Sequence, residues 1–265
     1  MMKSLKTTLL LLLISLLPLN VFASQELHAI RVNASTSRLY ERALNFFTKK
    51  IPDAFEKKLD NSYKYIDTIT TIFREKNIPL DIAYLPLIES GFSPLSVGSG
   101  DAVGLWQFVR STGQTYGLKI DKYVDERKDP VKSTHAAARY LKDLYGMFGA
   151  WDIALAAYNA GEGKVKRMLT GYRSVRLPDF LRLYLARFMA ASTVAQNPEE
   201  YGLKTPEDMP DDDAEYVEIK TDGITGLNTI AEQYNTTVKI IKELNPALLT
   251  NQTPPYPYVL RLPVP

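Results

Sequence analysis

Apolar residues recur at helical spacing along most of this chain. Tyr40, Ala43, Leu44 and Phe47 fall at i, i+3, i+4 and i+7, one face of a helix. The pattern predicts helix over much of 25–77, broken at Pro52 and resumed from about Asn61 with Tyr65, Ile69 and Ile72 on one face. Residues 79–92 are a nearly apolar run with Asp81 near its start and the carboxylate Glu89 near its end. Pro79 suits a first helical turn and Gly91 a position just past the last one. Pro86 removes a hydrogen bond to Ile82, so this helix should bend just before Glu89. Residues 93–101, rich in Ser, Gly and Pro, mark a loop, and 112–125 reads as a second one.

Further helices are predicted over 129–148, 152–160 and 177–195. Asp129-Pro130 supplies a cap and a first turn for the first of them. Val131, Ala138, Leu141, Tyr145 and Phe148 lie near its buried face, with His135 in the core or at its boundary. Residues 197–213 hold Pro198, Pro206, Pro210 and three consecutive aspartates, which reads as a solvated linker; calcium binding by the aspartates lacks a ligand-loop pattern. Beyond it, strand 216–219, helices 227–233 and 238–244, and strand 259–262 give a small β-α-α-β unit. The fold class is therefore mainly α. The division is a leader (1–23), an N-terminal helical extension (24–64), a main domain (65–205), a linker (206–213) and a C-terminal unit (214–265).

The leader has a basic start at Lys3 and Lys6, an apolar core over 9–19 and a small-residue end at Val21-Phe22-Ala23, the marks of an export signal. Its apolar run is short for the ~20 residues of a membrane span, so cleavage and a periplasmic, cell-envelope location are expected. Peripheral membrane association would follow only if the leader stayed uncut. The 265 residues contain no cysteine. That excludes disulfides, thiol chemistry, zinc–thiolate sites and a lipid-modified N-terminus. His28 and His135 are the only imidazoles, which argues against a histidine metal cluster or a Ser-His-Asp triad. With 32 basic and 30 acidic residues, no basic surplus points to nucleic acid. Carboxylate chemistry remains.

Glu89 is the candidate. Apolar neighbours and the negative end of a helix dipole both disfavour its ionised form. A carboxyl held protonated near neutral pH is what a general acid requires; the plain alternative is a surface glutamate at a frayed helix end. In Gly104-Leu105-Trp106-Gln107-Phe108, Gly104 permits close backbone approach and Gln107 offers both a donor and an acceptor. Trp106 offers either a flat face for a sugar or a ring buried for packing. Tyr158 and Asn159 end an alanine-rich helix, either aimed into a cavity or capping it. The charge run 125–129 reads as a solvated loop, with a structural ion pair as the alternative.

Four segments in this order resemble the soluble-type lytic transglycosylase family: Glu89-Ser90-Gly91-Phe92, Gly104 to Phe108, Ala157-Tyr158-Asn159-Ala160-Gly161, and Tyr184. The resemblance covers about 65–195. It implies a lysozyme-like α-helical catalytic domain acting on peptidoglycan glycan strands, with no metal and no cofactor. Glu89 would be the catalytic acid and then base, cleaving between N-acetylmuramic acid and N-acetylglucosamine to leave a 1,6-anhydro ring. Ser90, Gly104, Trp106, Gln107, Tyr158, Asn159 and Tyr184 would bind substrate. An internally tethered nucleophile needs no second carboxylate to activate water. A hydrolytic muramidase on the same fold would need one, with Asp101 or Glu126 nearest in sequence; a non-catalytic glycan-binding protein would not need Glu89. The C-terminal unit resembles a LysM module in Leu227 to Ala231 and Leu244-Asn245-Pro246. It departs where Ile224-Thr225-Gly226 replaces the Gly-Asp-Thr start. Phe180-Leu181 stands where the family has Glu-Thr before the fourth-motif tyrosine.

Overall fold

The structure, a computed structural model, describes residues 34–170, 177–205 and 216–264. The leader and the linker 206–213 lie outside the described residues. Helix α1 (Ala34–Asn45) runs into a short π-helical stretch (Phe46–Lys50), and α2 (Pro52–Tyr63) and α3 (Ile66–Glu75) follow. Pro52 both ends the first pattern and opens α2, because a first-turn position needs no N–H. A 3-10 helix (Leu80–Tyr84) precedes the single turn α4 (Pro86–Glu89). Then come α5 (Arg110–Thr115), α6 (Pro130–Phe148), α7 (Trp151–Ala160), α8 (Glu162–Thr170) and α9 (Asp179–Gln196). Helix α5 overlaps the start of the loop expected over 112–125.

Helix α9 is the centre of the body. It packs against α1, α4 and α7, so Leu181, Ala186, Phe188, Ala190, Ala191 and Val194 are almost fully buried. Small residues on both α9 and α7 (Ala154, Ala156, Ala157) let the two backbones approach. Phe47, Phe55 and Leu59 belong to this same core. The expected boundary after residue 64 is therefore no boundary in packing: the N-terminal helices are part of the body.

The run 79–92 is not one bent helix. Leu85 N–H turns back to Ile82 O at 3.0 Å, a 3-10 contact, and Pro86 starts a separate turn at its first position. Proline cannot supply the i→i−4 bond that would join the two pieces.

In the C-terminal unit, β1 (Tyr216–Thr221) pairs antiparallel with β2 (Tyr258–Pro263), Tyr216 opposite Pro263. Helices α10 (Leu227–Gln233) and α11 (Val238–Leu244) lie between them in sequence. Tyr258, Leu260 and Leu262 alternate inward along β2, as strand period demands. They meet Leu227, Ile230, Ile241 and Leu248, and also Val124 from the body, which is 0% exposed. The unit is thus docked on the body through a shared core. The charge run beneath it is not the expected solvated loop: Asp125, Arg127 and Asp129 are all buried.

Candidate active site

Glu89 closes α4, and the chain turns sharply just after it. Gly91 and Phe92 both have positive φ, 63° and 56°. At Gly91 this conformation favours glycine, and a Cβ there would also press on Lys58 Cγ at 3.0 Å. Asn61 Nδ2 donates to Gly91 O at 3.0 Å, tying the turn to α2. Ser90 Oγ donates to Leu105 O at 2.8 Å.

The Glu89 carboxyl is half-buried. Tyr184, from α9, donates its hydroxyl to Glu89 Oε1 at 2.5 Å. Burial raises the carboxyl above its ordinary value; the Tyr184 hydrogen bond favours the ionised form but does not overcome the burial. The reason is desolvation, not the helix end invoked from the sequence, since one turn accumulates little dipole. The phenols of Tyr184 and Tyr158 are pushed well above their ordinary range by burial and by the charge of Glu89. Both therefore stay protonated and donate. Tyr158 donates to Trp106 O at 2.7 Å. Behind it stands a file of rings: Tyr158 to Tyr140 at 5.3 Å and Tyr140 to Tyr116 at 4.9 Å between centroids.

The second segment is wall rather than contact surface. Trp106 is 0% exposed. Its Nε1 donates to Thr134 Oγ1 at 2.9 Å, and its ring packs on Phe73. No face is left for a sugar, so the packing alternative holds. Gly104 has φ 83°, and a Cβ there would lie 1.9 Å from Arg127 O; its role is close approach to the protein's own backbone. Gln107 turns back, Nε2 donating to Gly104 O at 2.9 Å. Asn159 is exposed at the end of α7. The structure thus gathers Glu89, Ser90, Tyr158 and Tyr184, with Trp106 behind them.

Arg127 forms the structural ion pair that the sequence left as the alternative for 125–129. Its Nε and Nη2 donate to Asp125 Oδ1 and Oδ2 at 2.9 and 2.7 Å. Its Nη1 donates to Asp101 O at 2.6 Å and Phe108 O at 3.1 Å. The signal was the pair of bases flanked by acids in 125–129. Asp101 is engaged by Arg127 and Arg110, and Glu126 by Lys132 Nζ at 2.6 Å and Lys119 N at 2.7 Å. Among the described residues no group of three or more His, Asp or Glu side chains is placed to hold a metal ion.

Residues 73–176 match the family model described as the Transglycosylase SLT domain. The matched stretch holds Glu89, Tyr158 and the wall segment, while Tyr184 reaches in from α9 beyond its end. Relatives named membrane-bound lytic murein transglycosylase D, from Escherichia coli K12 and Escherichia coli O6:H1, are each 35% identical over 152 residues. Those matches cover 54% of this chain and 34% of the relative, so the chain spans about a third of the length of these curated relatives. A solved structure of an inactive mutant of lytic transglycosylase Slt from Pseudomonas aeruginosa is 19% identical, with a TM-score of 0.41, covering 51% of this chain and 24% of that one. The matched residues carry the mainly helical fold expected of them. Among the described residues no helix is long and apolar enough to cross a membrane.

Proposed function

We propose that this chain is a peptidoglycan lytic transglycosylase with Glu89 as its acid and base. The observation that carries the reading is a carboxyl whose pKa burial raises, inside the segment that matches the SLT domain, with Tyr184 as its hydrogen-bond donor. In this reading Glu89 gives its proton to the oxygen between N-acetylmuramic acid and N-acetylglucosamine as the C1–O bond breaks. The muramic 6-hydroxyl oxygen then bonds to C1, and its proton returns to Glu89. No water is consumed, and one 1,6-anhydro end forms per cut. Tyr184 stabilises the carboxylate between the two proton transfers, because hydrogen bonds to an ionised acceptor are the stronger ones.

Asp101 and Glu126, the acids a hydrolytic route would need, are each held by cations, which favours the water-free route. A purely glycan-binding role has no use for a desolvated acid. The relatives' printed names and the export signal expected in 1–23 support a cell-envelope substrate. On the same reading the C-terminal unit is LysM-like, with its β-α-α-β order as support. The test is digestion of purified sacculi in 18O water, with products read by mass spectrometry. Anhydro ends without label are expected. Reducing ends carrying 18O would replace this reading with the muramidase.

A further inference from the structure

The C-terminal unit grips segment 119–130 by backbone and side chain. Asp125 N–H donates to Ala247 O, and Leu249 N–H to Tyr123 O, each at 2.9 Å. Tyr256 donates to Asp121 Oδ2 at 2.5 Å. Arg261 Nη1 lies 3.2 Å from Asp129 Oδ2, with only 14% and 7% of the two side chains exposed. That is a sheltered pair, screened far less than a surface one.

The gripped segment in turn holds the wall beside Glu89, by two routes. Arg127, locked by Asp125, donates to Phe108 O and Asp101 O. Asp129 caps α6 by accepting from Lys132 N at 2.9 Å. One turn on, Thr134 Oγ1 donates to Pro130 O at 2.6 Å and accepts from the Trp106 indole. Both routes end in 105–108, the segment whose Trp106 and Leu105 carbonyls receive Tyr158 and Ser90.

We infer that the C-terminal unit is a brace for the candidate active site, and that Arg261, acting through Asp129, is a positioning residue for Tyr158 and Ser90 beside Glu89. Only the activity arm of the test below rests on the proposed transglycosylase reading.

The sign of one measurement separates bracing from simple electrostatics. Removing the Arg261 charge would by its field alone raise the Glu89 pKa, since a nearby cation favours a carboxylate. Loosening the 105–108 wall would admit water and lower it, by relieving the desolvation that raises it now. The other titratable groups about Glu89 are Tyr184 from α9, Tyr158 from α7 and, along α2, Lys58, whose Nζ is 3.5 Å from Leu87 O. None belongs to the C-terminal unit.

The experiment uses the full chain, with the Glu89 carboxyl titrated by 13C NMR in the wild type, Arg261→Gln and Arg261→Lys. In Arg261→Gln the Glu89 midpoint is expected to fall by about half a unit, and Arg261→Lys to restore it in part. On sacculi, kcat should fall about tenfold with KM little changed, as for a misplaced catalytic group. An unchanged or raised midpoint in Arg261→Gln overturns the brace. If Arg261→Gln does not fold, Tyr256→Phe decides. It alters no charge and frees Asp121 from the unit, so a smaller downward shift supports the brace and no shift overturns it. Absence of any cleavage product in the wild type would overturn the proposed function alone, because the titration reads the brace without turnover.

Discussion

The hydroxyl of Tyr184 lies 2.5 Å from Oε1 of Glu89, and it draws the carboxyl's pKa in the direction opposite to burial. The hydroxyl itself cannot ionise in any working range, because burial and the Glu89 charge raise it far above the ordinary phenol. It is therefore a donor whether Glu89 holds a proton or not. The acid is set by two opposed influences, with desolvation the larger.

Removing the smaller influence should expose the larger. In Tyr184→Phe the Glu89 pKa should rise further, by about one unit for the loss of a charge-assisted hydrogen bond. On the proposed mechanism activity falls on the alkaline side as Glu89 loses its proton, so that limb should move to higher pH while kcat drops about tenfold. The pH–activity profile checks both. A limb moving to lower pH would mean that the tyrosine supports the protonated acid instead.

Glu89→Gln should keep the fold and cost about a hundredfold or more in cleavage, because the amide cannot transfer a proton. The raised pKa also makes a statement about stability. Below the ordinary glutamate value of about 4.3 both folded and unfolded chains are protonated. As pH rises through that value and on to the folded value, the unfolded chain releases its proton first, and the wild type loses stability. The Gln variant has no such loss. Denaturant midpoints should agree near about pH 4 and favour the variant at about pH 8; a variant less stable at both would contradict burial as the cause.

Trp106 should matter to folding and not to affinity. Its ring is enclosed and its N–H is already bound by Thr134. Trp106→Ala should cost about 3–5 kcal/mol of stability, while glycan affinity per folded molecule changes little. Denaturant unfolding beside a binding isotherm on soluble glycan separates the two. An unchanged stability with lost affinity would restore the stacking role.

Glu89 and its raised pKa were legible in the sequence, because an acid closing the apolar stretch 82–89 has few other environments to occupy. The helices over 130–148 and 152–160 were legible for the same reason, through periodicity and caps. The role of Trp106 was not, since one pattern of residue types suits an open face and a closed one alike. Segment 79–92 misled because two prolines can begin two short turns as readily as bend one helix. The docking of the C-terminal unit was invisible, because nothing local marks Val124 as part of a core built by residues 227–262. The burial of charge stayed open between two readings for a related reason: bases flanked by acids in 125–129 describe a solvated loop until a second surface covers them, when the ion-pair reading holds.

Arg127 is where the ion-pair reading can be tested most sharply. It is 1% exposed, and four of its contacts are to Asp125 and to the carbonyls of Asp101 and Phe108. Arg127→Met keeps much of the volume but leaves the buried Asp125 carboxylate without its partner. Breaking one half of a buried pair costs about 3–5 kcal/mol, whereas replacing both halves by apolar groups often costs little. Arg127→Met should therefore be strongly destabilised, and adding Asp125→Leu should recover part of the loss. Recovery will be incomplete, because the Asp101 and Phe108 carbonyls lose their Arg127 donor in both variants, Phe108 O keeping only the Val103 N–H. Arg127→Lys should recover little on its own, since a lysine cannot reproduce the two-pronged contact with Asp125. Denaturant unfolding of the three variants reads all of this. If the double variant were no more stable than Arg127→Met, the cost would lie in the lost carbonyl contacts, and the carboxylate would not be what the arginine is there to hold.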